Sequence, residues 1–300
     1  MALQSVKFTL NGQTYDLTLD GTTGQYKATI TAPAESSWGA AEDHKYHGTV
    51  EAKDLAGNTA QATVTQFPGL GLRVLEKVKP TISVTYPTNG AYIPSNQPAI
   101  TWTVLDDGSG IDPATIQIQV DSAAATADGI QTEATEGGYT CSYTPDTALG
   151  DGPHTFRFTV SDNDGNAADA VAVSVTVDTV PPTLNVTASA EGLVTNQGTL
   201  TVQGLTNDAT SSPVTVKVQV GSGSPVTATV DDEGNFQAQV TLSEGANAIQ
   251  VTATDAAGKS TTVTRNVTVD TVPPAITAVT LTPNPVDAGQ TYVVTVTVSD

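Results

Sequence analysis

The residues best suited to binding chemistry in this sequence are acidic and amide side chains grouped in tight turns. In residues 162–166, Asp-Asn-Asp-Gly-Asn, oxygen-bearing side chains stand at alternate positions, an arrangement that suits a hard cation such as calcium. The segment lacks the third acidic ligand and the distal glutamate of an EF-hand loop. The same residues also form a turn without any metal, so two interpretations stay open, a calcium ligand set and a plain turn.

Other candidate groups each have a structural explanation beside the chemical one. His44 and His47 lie among acids and suit a transition metal, or they belong to a solvated loop that leads into a strand. Trp38 stands in a polar loop, where it either stacks on a sugar or a partner protein or covers its own core. Residues 106–113 read as an acidic turn between strands. Cys141 alternates with tyrosines, which predicts a buried, inert thiol.

Composition and motifs argue against several classes of function. A formal net charge of −20 repels phosphate backbones, so we expect no nucleic-acid binding, and it suits divalent cations, basic partners or simple solubility. No apolar run is long enough to span a membrane. The sequence has no nucleotide loop, zinc pattern or nucleophile elbow, and its acids fall at turns. We therefore predict that the chain is not an enzyme.

An internal repeat indicates which strands and turns hold these candidate residues. An Asp-x-x-Gly turn begins at Asp54, Asp162 and Asp255, with separations of 108 and 93 residues. The segment Val-Asp-Thr-Val-Pro-Pro occurs at 177–182 and again at 269–274. Gly and Asn accept the positive φ of a hairpin turn, whereas Pro-Pro ends a strand and stiffens the connection that follows.

Between these marks, apolar residues alternate with polar ones. This period of two over many short strands predicts an all-β chain of antiparallel sandwiches. The residues predicted to face the cores include Ile100, Trp102, Val104, Ile116, Ile118, Val120, Phe156, Phe158, Val160, Val216, Val218, Phe236, Val240, Ile249 and Val251.

Residues 151–166, residues 244–255 and the repeated Val-Asp-Thr-Val-Pro-Pro resemble tandem bacterial Ig-like domains. Such domains occur in bacterial adhesins and in phage or prophage tail and virion proteins. The resemblance implies tandem Ig-like antiparallel β-sandwiches in an elongated chain. It also implies calcium at the connections between modules, where an acidic turn and a linker aspartate supply the ligands. The matching positions are Asp162, Asp164 and Asp178 at one connection, and Asp255 and Asp270 at the next.

The spacing of the repeats divides the chain into unequal parts. Residues 80–178 and 179–270 are each predicted to form an Ig-like module. Residues 1–79 resemble a module that lacks its first two strands, because the Asp54 turn comes too early. Residues 271–300 resemble two opening strands with no module. We refer to these parts as modules 1 to 3 (1–79, 80–178 and 179–270) and the tail (271–300).

An incomplete sandwich exposes apolar surface and strand edges, which strand addition would cover. We expect the tail of one subunit to complete module 1 of a neighbour, in a head-to-tail filament or ring. The alternatives are closure within one chain, and a truncated fragment with an unpaired tail. The predicted contact residues are Ile276, Val279, Leu281, Tyr292, Val294, Val296 and Val298 of the tail, with Val6, Phe8 and Leu10 of module 1.

The resemblance and the missing catalytic motifs together predict a non-enzymatic structural component of a phage or phage-derived particle. Its expected partners are further copies of itself or other virion proteins. The alternative is an adhesion module that binds host-surface glycans or proteins through its loops. Because the amino terminus reads as a strand and not as a secretion signal, we expect a virion or extracellular location reached by lysis or within a particle.

Overall fold

The computed structural model describes residues 3–124 and 129–300, and it confirms the prediction of an all-β chain. The chain divides into two compact units, Met1–Val177 and Asp178–Asp300. The first unit contains modules 1 and 2, and the second contains module 3 and the tail. Short 3₁₀ turns cover Pro68–Leu70 and Pro113–Thr115. The described residues contain no helix with the length and apolar character needed to cross a membrane.

Module 1 has one four-stranded sheet, in the order β2-β1-β6-β7, and two separate strand pairs, β3-β4 and β5-β8. The strands are β1 (Leu3–Leu10), β2 (Gln13–Asp16), β3 (Thr18–Asp20), β4 (Gln25–Lys27), β5 (Tyr46–His47), β6 (Thr49–Asp54), β7 (Thr59–Ala62) and β8 (Gly71–Leu72).

Module 2 is a sandwich of a five-stranded sheet, β10-β17-β16-β12-β13, and a four-stranded sheet, β14-β15-β11-β9. Pairing is antiparallel except for the parallel pair β10-β17. The strands are β9 (Thr81–Tyr86), β10 (Tyr92–Ile93), β11 (Ile100–Leu105), β12 (Gln117–Val120), β13 (Ala123–Ala124), β14 (Ile130–Thr135), β15 (Gly138–Tyr143), β16 (Gly152–Thr159) and β17 (Val171–Val177).

Module 3 repeats this topology, with the sheets β18-β20-β24-β23 and β19-β26-β25-β21-β22. Its strands are β18 (Thr183–Ala188), β19 (Leu193–Thr195), β20 (Thr199–Asn207), β21 (Thr215–Val220), β22 (Val226–Thr227), β23 (Thr229–Val230), β24 (Asn235–Thr241), β25 (Gly245–Thr254) and β26 (Ser260–Val269). In the tail, β27 (Ala275–Thr282) and β28 (Val293–Ser299) form an antiparallel hairpin.

The cores of modules 2 and 3 follow the predicted alternation. The two modules place the large residue of a cross-strand pair on different strands. Trp102 of β11 lies opposite Cys141 of β15, and its ring packs against Phe158 at 5.0 Å between centroids. At the corresponding place in module 3, Gly204 of β20 lies opposite Phe236 of β24. Each pair joins one large side chain to one small one, so both cores fill without overlap.

We call the first two long strands of each module its opening pair: β9 and β11 in module 2, β18 and β20 in module 3. The second strand of each opening pair also pairs with a strand from the middle of its module, β15 or β24. In module 1, β4 lies after a comparable hairpin turn, but its sheet contains only β3 and β4. Among the described residues, module 1 therefore has no opening pair.

Candidate functional site

The structure brings three acidic side chains together at the start of module 2. One carboxylate oxygen each from Glu76, Asp106 and Asp162 lies within 4.8 Å of the other two. Glu76 belongs to the linker that precedes β9, Asp106 follows β11, and Asp162 lies in the turn between β16 and β17. Asp106 and Asp162 are only 6% and 2% exposed, so their charges are held largely out of water.

Hydrogen bonds within the turn fix the carboxylate of Asp162. Its Oδ1 accepts from the backbone N–H groups of Asp164 at 2.9 Å and Asn166 at 2.8 Å. The side-chain amide of Asn166 donates to its Oδ2 at 2.7 Å. Gly165, with φ of +90°, supplies the left-handed backbone that closes this loop. The turn therefore forms from its own donors and points one carboxylate toward the linker.

The carboxylate of Asp106 is only half satisfied. Its Oδ2 accepts from the backbone N–H groups of Gly108 at 3.0 Å and Gly110 at 2.7 Å. Its Oδ1 is buried and has no hydrogen-bond partner among the residues that the structure describes. A buried carboxylate oxygen without a partner is costly, and a bound cation would remove that cost.

The titrations of Glu76 and Asp162 are shifted in opposite directions. Burial, and then the hydrogen bond shared with Asp162, raises the pKa of Glu76. Burial also opposes ionisation of Asp162, but hydrogen bonds from the side chain and backbone of Asn166 outweigh it and lower the pKa of Asp162. Of the two carboxyl groups, Glu76 therefore binds a proton more readily than Asp162, and a divalent cation would compete with protons for the same oxygens.

Asp164 lies beside this cluster but has other partners. Its buried side chain forms an ion pair with Arg73 and accepts from the hydroxyl of Ser36 at 2.7 Å and the backbone N–H of Glu76 at 3.0 Å. The resemblance implies that Asp164 is a calcium ligand, and the structure corrects this, because donors from module 1 and the linker occupy its oxygens. Asp164 instead ties module 1 to module 2.

A second cluster of the same design lies at the start of module 3. One carboxylate oxygen each from Asp178, Asp208 and Asp255 lies within 4.8 Å of the others. Asp178 and Asp255 are buried, at 0% and 6% exposure, and Asp208 is half-buried. Asp178 accepts a hydrogen bond from the hydroxyl of Ser211. Oδ1 of Asp255 accepts from the backbone N–H of Lys259 at 2.8 Å. Its Oδ2 is buried without a hydrogen-bond partner in the described part of the chain.

The two clusters share their spacing in the sequence. The linker acid and the acid after the opening pair are 30 residues apart in both cases, as Glu76 and Asp106 and as Asp178 and Asp208. Sequence reasoning did not single out Glu76 or Asp208, and it took Asp106 for a turn residue. The 30-residue spacing between the linker acid and the acid after the opening pair is the signal that would have identified Glu76 and Asp208.

In the structure, each turn acid lies beside a different linker from the one predicted. The predicted sets joined Asp162 to Asp178 and Asp255 to Asp270, whereas the structure joins Asp162 to Glu76 and Asp255 to Asp178. The reason is strand direction. After the turn, the last strand runs the whole length of the module before it reaches the following linker, so the turn lies at the end where the chain enters.

Asp270, the remaining predicted ligand, is exposed in the linker before the tail. Its Oδ1 accepts from the backbone N–H of Val272 at 3.1 Å, which is a local turn contact. Asp270 and Asp300 are also 30 residues apart, which is the spacing of the first two acids in each cluster.

Trp38 is half-buried at the end of module 1 that faces the linker. Its ring stacks on His44 with 3.7 Å between centroids and an interplanar angle of 3°. The guanidinium of Arg73 lies 5.2 Å from its ring centroid. His44 Nδ1 lies 2.6 Å from the carbonyl oxygen of Trp38, and His47 pairs with Asp43 at 2.8 Å. These contacts assign Trp38 and both histidines to the local packing of this loop.

The predicted assembly residues fall into two groups. Val6 and Leu10 are buried within module 1, at 7% and 4% exposure, so they are not available as surface. Phe8 is half-buried and lines an open groove. The predicted residues of the tail are all exposed: Ile276, Val279, Leu281, Tyr292, Val294, Val296 and Val298.

Comparison with known families agrees with the sandwich topology. Residues 91–179 match the model of a bacterial Ig-like domain, and residues 182–271 match that of domain B of glucodextranase. Modules 2 and 3 are tandem Ig-like sandwiches, and module 2 matches the bacterial Ig-like domain. A stretch of 114 residues is 34% identical to bacillopeptidase F of Bacillus subtilis (strain 168). The match covers 38% of this Ig-like chain and 7% of the length of that relative.

Two solved structures have low similarity to this chain. The fibronectin(III)-like modules of Clostridium thermocellum CbhA have 17% sequence identity and a TM-score of 0.43, covering 63% of this chain and 94% of theirs. Domains A168–A170 of titin have 15% identity and a TM-score of 0.43, covering 87% of this chain and 86% of theirs.

Proposed function

We propose that this chain is a non-enzymatic structural spacer whose linkers are held in place by bound calcium. The observation that carries this proposal is the repeated acidic cluster. Both clusters combine a linker acid with two acids of the following module, and each contains one buried carboxylate oxygen without a hydrogen-bond partner among the described residues. A single cluster of this kind has many explanations, but a design repeated at the same spacing favours a shared ligand.

The donor set favours calcium over other metals. All the side chains in the two clusters offer carboxylate oxygen, which hard cations prefer, and they offer neither nitrogen nor sulfur. Calcium accepts six to eight oxygen ligands in flexible geometry, so backbone carbonyls and water would complete the coordination. The ion would also offset the mutual repulsion of three carboxylates that are largely shielded from water.

Binding at the first cluster would act on the linker between modules 1 and 2. Glu76 is the only ligand of this cluster that lies in the linker, and the other two belong to module 2. An ion would therefore join the linker to the module, beside the ion pair of Arg73 with Asp164. A linker that is fixed to module 2 through a bound ion loses conformational freedom. A spacer needs this rigidity.

The chemistry of the remaining residues supports a structural role over catalysis. Burial raises the pKa of the Cys141 thiol to about 11, which suppresses the thiolate that a nucleophile needs. The stacking of His44 on Trp38 covers one face of the indole, which leaves less of Trp38 available for the adhesion alternative. The phage or phage-derived particle stays a prediction, which mass spectrometry of purified particles from the source would test.

The proposal is tested by titrating chelator-treated protein with calcium in a calorimeter and by melting it with and without calcium. We expect two sites per chain and a higher melting temperature in calcium. Asp178→Asn should remove one site. Asp231→Asn is the control, because Asp231 accepts turn hydrogen bonds from the backbone N–H groups of Glu233 and Asn235 and lies outside both clusters. Calcium that neither binds nor raises the melting temperature by more than about one degree would end the proposal.

A further inference from the structure

A buried serine accompanies the three acids in each cluster. Ser109 follows Asp106 by three residues, and Ser211 follows Asp208 by the same interval. Ser109 is 6% exposed and Ser211 is 0% exposed. Serine side chains mostly lie at protein surfaces, so two buried ones at matching positions require an explanation. The repeat of a buried hydroxyl at the same place indicates a common role in the two clusters.

Each serine hydroxyl donates a hydrogen bond to the linker acid of its cluster. In module 2, Ser109 Oγ donates to Oε1 of Glu76 at 3.4 Å. In module 3, Ser211 Oγ donates to Oδ2 of Asp178. The linker acid is the only one of the three acids in each cluster that precedes the first strand of the module. Each hydroxyl therefore joins the linker directly to the module that follows it.

Backbone hydrogen bonds, and not the hydroxyl, shape the loop that carries Ser211. Oδ1 of Asp208 accepts from the backbone N–H groups of Thr210 and Ser211, both at 2.8 Å. The carbonyl oxygen of Ser211 accepts from the backbone N–H of Ala256, in the turn that contains Asp255, at 3.2 Å. An alanine at position 211 would keep all of these bonds. The hydroxyl can therefore be removed without removing any of these bonds.

The two modules differ in how many side chains hold the linker acid. In module 2, the side-chain amide of Asn166 also donates to Oε1 of Glu76, at 3.1 Å, beside the hydroxyl of Ser109. At the position of Asn166, module 3 has Lys259. The Lys259 side chain forms no hydrogen bond or ion pair with any residue that the structure describes. Ser211 therefore carries a larger share of the attachment of its linker acid than Ser109 does.

We propose that Ser109 and Ser211 are positioning residues of the two cation sites, with Ser211 the more important. This inference rests on the calcium-binding function proposed above. A linker acid that is already held against the module contributes its oxygen to an ion without a further loss of chain entropy. When the acid is held only part of the time, the apparent dissociation constant rises by the inverse of that fraction. The hydroxyls thus raise the affinity through the linker acid and not by contacting the ion.

Calorimetric titration of the full chain with calcium tests the role of Ser211. An Asp106→Asn background disables the first site, so that one ion per chain reports on the second. We expect Ser211→Ala to bind this ion about tenfold more weakly, because a hydrogen bond to a charged group is lost. Ser212→Ala is the matched control, because the hydroxyl of Ser212 donates to the backbone carbonyl of Asp208, at 3.1 Å, instead of a carboxylate. Equal calcium affinities of the Ser211→Ala and Ser212→Ala proteins overturn the proposal.

Hydrogen exchange in chelator separates a positioning role from other roles of the hydroxyl. The backbone N–H of Val180 donates to Oδ1 of Asp178 at 3.1 Å, so its exchange reports on the order of the linker. We expect Ser211→Ala to speed this exchange several-fold in chelator, and calcium to slow it again. Weaker calcium binding with unchanged exchange would make the hydroxyl a ligand of the ion and overturn the positioning role. Lower stability in chelator with unchanged calcium affinity would make it purely structural, with the same consequence.

A second variant, Ser109→Ala, keeps the test independent of how well Ser211→Ala folds. It is measured in an Asp208→Asn background, in which the first site remains. Because the amide of Asn166 still holds Glu76, we expect an affinity loss of only about two- to threefold. A Ser109→Ala protein with unchanged affinity, or with a loss of about tenfold or more, contradicts the proposal.

Titration of the wild-type chain distinguishes failure of this proposal from failure of the proposed function. A wild-type chain that binds no calcium refutes the proposed function and, with it, the role of the serines. A wild-type chain that binds two ions, while Ser211→Ala binds like Ser212→Ala, refutes the positioning role alone.

Discussion

Replacing Asp106 by asparagine should change the stability of module 2 in opposite directions with and without calcium. The amide oxygen of asparagine can still accept from the backbone N–H groups of Gly108 and Gly110. The carboxylate oxygen that lacks a partner becomes an amide N–H₂ group, which can donate to Glu76 or Asp162. The substitution thus removes one negative charge while it preserves the loop.

The magnitude follows from the separation of the charges. At 4.8 Å and an effective dielectric constant of about 20, two unit charges repel each other by about 3 kcal/mol. The raised pKa of Glu76 favours its neutral form, and any neutral fraction would reduce this repulsion. We therefore expect Asp106→Asn to be more stable than wild type by about 1–3 kcal/mol in chelator. With calcium at about 100 times its dissociation constant, wild type gains about 2.7 kcal/mol per site, and the variant loses most of that gain.

The assay is urea unfolding followed by fluorescence of Trp102, which is 1% exposed in the core of module 2. A Trp38→Phe background removes the other tryptophan. Both proteins are measured with chelator and with calcium, and Asp231→Asn serves as a control that should not reverse. The reasoning is refuted if Asp106→Asn is less stable than wild type in chelator, or if calcium stabilises both proteins equally.

Three further predictions concern the modules themselves. Cys141 should react with a thiol reagent only at the rate of unfolding, because burial raises its pKa to about 11. Gly204→Ala should destabilise module 3 by at least about 1–3 kcal/mol in urea titrations, because an added Cβ would lie 2.1 Å from the carbonyl oxygen of Asn185 and 2.6 Å from the ring of Phe236. Burial opposes protonation of His154, but the carboxylate of Asp121, 2.5 Å away, outweighs it and raises the His154 pKa. The stability from this pair should be complete below about pH 6.5 and fade as pH rises through the raised pKa, as thermal melts would show, and Asp121→Asn should abolish that dependence.

Much of the fold could be predicted because its signals are local. Trp102, Phe156 and Phe158 were assigned to a core from alternation alone, and all three are buried. Glycines in the repeated turns, such as Gly165 and Gly258, adopt the positive φ that the turn requires. Val6 and Leu10 could not be judged in the same way, because their exposure depends on which strands cover them and not on their own strand.

The candidate site was only half predictable. Asp162, Asp178 and Asp255 were chosen from the sequence and lie in clusters, but their partners differ from those expected. Asp164 was chosen as well, and it is bound by Arg73 from module 1. Arg73 lies 91 residues from Asp164 along the chain, and nothing in the sequence indicates that the two side chains are in contact.

The sequence by itself determined the strands and the turns, because period-two patterning and the φ preferences of Gly and Pro act over a few residues. Only the tertiary structure decided which acids meet. Glu76, Asp106 and Asp162 come from three separate segments, and they converge because strand direction returns the Asp162 turn to the end where the chain enters the module. That convergence depends on how the two sheets pack, which no short segment of the sequence contains.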